Sequence, residues 1–212
     1  MEQAHQSDAN ALLPAIESAE ARNLKPKEIL ADSLYGSDDN CQKAETHDVE
    51  VVAPVMGETK KDGFSLSDFQ ISDKGLVPAC PLGHAPVKAK QGKRYSVGFD
   101  AAICDTCPER SRCPVKKGKK FCYLRFTEKD RRIAKRRLYE QTEEFKDRYR
   151  WRAGVEATMS EYDRRTGGKH LRVRGFKAVK YCATMKALAV NIFRAAAFRM
   201  ARMMPGEELC PA

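Results

Sequence analysis

Apolar residues in the 212-residue chain form two short runs near the N-terminus, scattered pairs through the middle and a sustained helical period towards the end. The runs at 29–31 and 49–53 have the composition of buried parallel strands. Between them Ser37 is followed by Asp38, Asp39 and Asn40, a helix start whose acids suit the positive end of the helix dipole. This predicts a strand, a helix over about 37–46 and a second strand that stops at Pro54. Upstream, Ser7 and Asp8 can cap a helix running to about Asn23 with Leu12, Leu13 and Ile16 inward. Pro14 either kinks that helix or marks its first turn. Residues 1–6 carry no periodic pattern and are expected to fray.

From Gly57 to Gly75 the chain is rich in Gly, Lys, Asp and Ser, with Phe64, Leu66 and Phe69 alternating loosely, which predicts loop and a short strand. No helical period is sustained between Met56 and about Phe126, so 56–126 reads as a β-rich insertion. Thr127 with Asp130 three residues on is close to a capping box and opens a strongly basic helix over 128–142. A second helix is expected over 143–165. On it Tyr149, Arg152, Glu156, Ser160 and Asp163 step by three and four residues and would share one face. Gly167 and Gly168 end it, 169–175 is a basic loop, and 176–203 is an Ala-rich helix. In this last helix Val179, Cys182, Ala183, Val190, Phe193 and Ala197 repeat at helical spacing, a face expected to pack on the sheet, with the methionines as core filler. Residues 205–212 form a tail. The domain plan is thus 1–55, 56–126, 127–204 and the tail.

Charge adds a partner to this picture. Lys and Arg number 39 against 29 acids, and from Arg148 to Lys180 ten cations face three acids. A polyanion is the natural ligand of such an excess, although a charge run is also the signature of a solvated face. The candidate contacts are Tyr149, Arg152, Arg164, Arg165, Lys169, Arg172 and Arg174. No stretch has the apolar length of a membrane span, and the N-terminus lacks a basic region followed by an apolar one, so a cytoplasmic location and no membrane partner are expected.

Two kinds of candidate chemistry stand out. Asp32 closes the first apolar run, and strand ends in open α/β sheets are where ligands collect; an Asp there can also simply cap a turn. Among eight cysteines, Cys104 and Cys107 have the short bite that tetrahedral zinc favours. Cys80 and Cys113 could complete four ligands, with His84 and Cys122 as alternates. Free thiols are the competing reading, and Cys41, Cys182 and Cys210 look unrelated to the cluster.

Two segments together resemble the DDE transposases of bacterial insertion sequences. Tyr149, Arg152 and Glu156 match in spacing the branch signature of Tyr, two residues, Arg, three residues, Glu, six residues, Lys. The stretch Ala31-Asp32-Ser33-Leu34-Tyr35-Gly36-Ser37 is similar to the family's segment around its second catalytic acid. The sequence departs from the signature at Asp163, where the family usually has Lys, although Arg164 and Arg165 lie beside it. The resemblance implies an α/β, ribonuclease-H-like core with C-terminal helices. It also implies catalytic carboxylates at Asp32 and Glu156, Mg2+ or Mn2+ held by them, and DNA (insertion-sequence ends and target) as partner. A homodimer in the transposition complex is a further expectation.

In that family a third carboxylate lies on the first of three strands upstream of the first helix. Here only Glu2 and Asp8 precede that helix, neither in a strand-like run. The expectation is therefore a core lacking its first strands, the C-terminal portion of a transposase, whether by true truncation or by a late start at Met1, that is inactive in this form. Should it cleave DNA, Glu161 or Asp163 would have to serve as the third acid. The alternative is a zinc-ribbon DNA-binding protein without chemistry, in which Asp32 and Glu156 are structural.

Overall fold

The computed structural model describes residues 7–57 and 62–203; expectations for the first six residues, Glu2 among them, and for the tail with Cys210 lie outside the described residues. The described chain divides into two compact units, one ending at Arg150 and one beginning at Trp151.

The first unit begins with a 3-10 turn, Asp8–Ala11, and helix α1, Leu12–Glu20. Ser7 makes no capping bond, so the start expected at Ser7 and Asp8 is a tighter turn, and the α-helix begins four residues later. Pro14 falls in the first turn of α1, where a missing N–H costs nothing. Strands β1, Glu28–Leu30, and β2, Glu50–Val52, pair in parallel with Ile29 opposite Val51 and Leu30 opposite Val52. Helix α2, Asp38–Glu45, crosses between them, its start held by the Ser37 hydroxyl accepting from Asn40 N–H at 3.2 Å. The crossover is a short βαβ unit, and its core is Leu12, Ile16, Ala44 and Val49, with Ile29, Tyr35 and Val51 against them.

The second sheet has the order β3-β4-β6-β5 and is antiparallel throughout: β3 is Lys88–Lys90, β4 Tyr95–Asp100, β5 Lys116–Lys117 and β6 Phe121–Phe126. A short helix, α3, Ala101–Asp105, follows β4 directly, capped by the Asp100 side chain accepting from Ala102 N–H. One face of this sheet buries Val97, Phe99, Cys122, Leu124 and Phe126 with Phe69, Val77 and Val115. The short strand expected near Phe64 is instead a 3-10 turn, Leu66–Asp68. Ser65 and Asp68 close a capping box there, which satisfies the local N–H groups without a neighbouring strand.

Helix α4, Glu128–Glu140, begins with the capping box of Thr127 and Asp130. Its cations are spent within the unit. Arg132 pairs with buried Asp38, Arg136 donates to Gly36 O and Ala53 O, and Arg137 donates to Gly57 O. Lys129, Lys135 and Arg131 pair with Asp39, Asp73 and Glu128.

The single helix expected over 143–165 is not formed. Helix α5, Glu143–Tyr149, gives way to a 3-10 turn, Arg150–Arg152, and then to α6, Ala153–Thr166. The cause is anchorage of α5. Phe145 is buried between the rings of Tyr139 and Tyr149, and Arg148 donates to Glu28, Glu50 and Tyr139. Tyr149 therefore ends one helix and Glu156 belongs to the next, so the five residues expected on one face do not share a helix.

In the second unit, α6 ends at Gly167, whose left-handed backbone (φ 59°) suits glycine. Helix α7, Phe176–Met203, packs along α6. Tyr162 donates to Ala183 O, Lys186 donates to the carbonyls of Thr166 and Gly167, and Arg194 pairs with Glu161 at 2.7 Å. Val190 is buried and Val179, Cys182 and Ala183 are half-buried, while Phe193 and Ala197, placed inward by spacing, are exposed.

Candidate active site

Asp32 sits two residues past β1, after Ala31, whose N–H still donates to Val52 O at 3.0 Å. It is half-buried, and its Oδ1 accepts from Leu34 N–H at 3.0 Å, which folds the chain sharply out of the strand. The following loop is fixed from two sides: Asn40 Nδ2 donates to Tyr35 O at 3.2 Å, and Arg136 donates to Gly36 O at 2.7 Å. Gly36 is required by close approach, because a Cβ there would stand 2.4 Å from Pro54 O. The resulting strand-end carboxylate is held on a rigid turn.

Glu156 lies in the first turn of α6, with its side chain 74% exposed, and accepts from Arg152 Nη1 at 3.0 Å. Asp32 is part of the first unit, and Arg152 and Glu156 of the second. Tyr149, the remaining signature residue, stacks on Phe145 with ring centroids 5.3 Å apart. The structure thus joins Arg152 to Glu156 and assigns Tyr149 to the anchor of α5.

The other basic candidates gather at the C-terminal end of α6 and the loop after it. Arg164, Lys169, Arg172 and Arg174 are exposed. Arg165 is engaged, donating to Glu161 at 2.7 Å and lying over the Phe193 ring. Asp163, at the position where the signature has Lys, accepts from Lys169 N–H at 2.8 Å, and the Lys169 ammonium is 3.4 Å away. That N–H holds the Asp163 carboxyl below its usual range, and Arg194 with Arg165 does the same for Glu161. Both acids weighed as a third ligand are therefore already occupied.

Cys80, Cys104, Cys107 and Cys113 line one small cavity of about 40 Å³ with Leu82, His84 and Ile103. Turns deliver them: Gly83 N–H donates to Cys80 O, and Arg110 N–H donates to Cys107 O. Burial, with Cys122 and Cys113 beside it, pushes the Cys104 thiol up to about 12; burial also raises Cys113, opposed by the Val115 N–H aimed at its sulfur. Among the described residues no three His, Cys, Asp or Glu form a group able to hold a metal ion. Carboxylates at Asp32 and Glu156 suit magnesium in kind, as hard oxygen donors, and thiols suit zinc.

Arg136 and Arg148 were not legible as positioning residues. Apart from Tyr139, their partners lie 83 to 120 residues away, and an Arg in a basic run carries no local mark of a buried role. No helix among the described residues is long and apolar enough to cross a membrane.

No curated protein and no solved structure matches the chain. The zinc-ribbon alternative finds no support in the comparisons. Residues 79–196, more than half of the chain, match the family model described as the transposase DDE domain, a stretch that contains Glu156, the basic loop and the cysteine cluster but not Asp32. The chain belongs to the DDE transposase family, and DNA is the partner which that membership implies.

Proposed function

We propose that this chain serves DNA transposition by phosphoryl transfer, strand cleavage and joining, at insertion-sequence ends, with Asp32 and Glu156 as its catalytic carboxylates. The observation that carries the reading is Glu156, exposed at the start of α6 within the family match, four residues after Arg152 and on the same helix as the basic terminus. Asp32 and Glu156 each offer the hard oxygen donor that Mg2+ or Mn2+ takes, and such an ion would activate the attacking oxygen and stabilise the leaving one. Arg152 orients the Glu156 carboxylate by its hydrogen bond. Arg164, Lys169, Arg172 and Arg174 hold the DNA backbone by charge, supported by Arg165.

Two carboxylates alone are too few to fix two such ions, so the 212-residue chain is expected to bind DNA without cutting it. Binding to a labelled duplex should weaken steeply with salt, because each phosphate contact releases counterion. No binding at low salt would sink the reading. Magnesium-dependent cleavage that disappears in Glu156→Gln would overturn the expected inactivity and support the carboxylate's role. Cleavage that survives Glu156→Gln would overturn that role.

The cysteine cluster is proposed to take one structural zinc ion through Cys80, Cys104, Cys107 and Cys113. The support is that all four line one cavity. Ligation requires the turns to draw in and the thiols to lose their protons. Elemental analysis of chelator-free protein should find about one zinc per chain, lost in Cys107→Ser. A content far below that in the parent chain rules the zinc out.

A further inference from the structure

The outward face of the second sheet has a chemistry of its own. Lys88 on β3, Gly98 on β4, Tyr123 on β6 and Lys116 on β5 form one row across all four strands, and Lys90, Ser96 and Arg125 form the next. Residues alternating with these on β4 and β6 are buried, so the row faces away from the core. Lys88, Lys90, Lys116 and Arg125 are exposed. The Lys88 ammonium lies 4.3 Å from the Phe121 ring centroid and 5.3 Å from that of Tyr123, and the Arg125 guanidinium lies 5.2 Å from Tyr123. Gly98 leaves the path for this, since a Cβ there would stand 3.1 Å from Lys88 Cγ.

Among the described residues none of these four cations has a carboxylate partner. Asp100, at the margin, is turned to cap α3. Lys117, one residue from Lys116 and on the opposite face, pairs with Asp105 at 2.6 Å. A surface that serves solubility alone is best built with both signs interspersed, which this face is not. Here aromatic faces position Lys88 and Arg125 without neutralising them, and β3 and β5 are three strand spacings apart, about 14 Å. That spread lets the charges meet separate phosphates.

We infer that this face is a second nucleic-acid surface, binding the phosphodiester backbone of DNA through Lys88, Lys90, Lys116 and Arg125. The inference rests on the transposition reading for its partner, and on charge complementarity for its place. The test combines Lys88→Ala, Lys90→Ala and Arg125→Ala in the full chain. Binding to a labelled duplex is followed over a salt series, beside a variant carrying Lys169→Ala, Arg172→Ala and Arg174→Ala. The sheet variant should bind at least about tenfold more weakly at ~0.1 M salt, with the slope of log affinity against log salt reduced by about three. In the unaltered chain, duplex DNA should protect Lys88 and Lys90 from acylation, a readout that does not depend on how the variant folds. Intact duplex binding with an unchanged slope and unprotected lysines would overturn the inference and leave the transposition reading standing. Failure of the unaltered chain to bind duplex at all would remove both.

Discussion

Asp38 is 3% exposed at its side chain and is neutralised by Arg132, 94 residues away, at 2.7 Å. Removing the arginine strands a buried carboxylate, which costs more than the pair itself is worth. Arg132→Ala should lower unfolding free energy by about 2–4 kcal/mol, discounted for the partial exposure of the guanidinium, and urea denaturation measures it. Gly36 offers a contrasting case, steric and without charge. Gly36→Ala drives a methyl into a backbone oxygen that has no rotamer to escape by, and about 1–3 kcal/mol of destabilisation is expected in the same assay. At this scale the sequence was a good guide wherever a residue acts on its neighbours: Ser37, Thr127, Gly167 and the turn at Asp32 are all local devices. It was a poor guide to Arg132, Arg136 and Arg148, because an arginine looks the same whether its partner is water or an acid a hundred residues away.

Among the elements, α2 was legible from its Ser37 cap and α7 from its Ala-rich helical period, although Phe193 and Ala197 on that period are exposed. The break between α5 and α6 was not. Residues on both sides favour helix, and what interrupts them is Phe145 and Arg148 being held by groups elsewhere in the unit. The basic character of α4 was equally visible, but not its use as an internal brace. One tie between α6 and α7 is Glu161 with Arg194, flanked on α6 by Arg165. Arg194 chiefly holds the Glu161 carboxyl below its usual range, so the folded form binds a proton less readily than the unfolded one. The stability this gives is present above the ordinary carboxylate range and is lost as pH falls through the lowered value. Thermal melts of the α6 and α7 pair, followed by helical circular dichroism, should shift downward below about pH 4, and Glu161→Gln should flatten that dependence. A pH response unchanged by the substitution would show that the tie contributes nothing.

For the whole molecule, the resemblance to the transposase family rested on two short motifs, of which the family match spans the one around Glu156 and not the one around Asp32, and the mixed α/β architecture was read from the apolar runs and helix starts. The outward face of the second sheet escaped notice because its cations are scattered over 88–125 and become neighbours only through strand pairing. The brace formed by α4 also has a consequence in time. The first βαβ unit is closed by Arg132 and Arg136, which lie 83 to 100 residues downstream of the groups they hold. A ribosome adding ~5–20 residues per second makes the opening segment wait about 5–20 s for those side chains, longer again for the residues still inside the exit tunnel. Through that interval Asp38 must stay hydrated, and β1 and β2 pair on their own local core without the brace of α4. Nascent chains arrested before α4 should be cut more readily by protease within 7–57 than chains arrested well beyond Arg148, making the 7–57 segment one of the last parts of the first unit to become fully native.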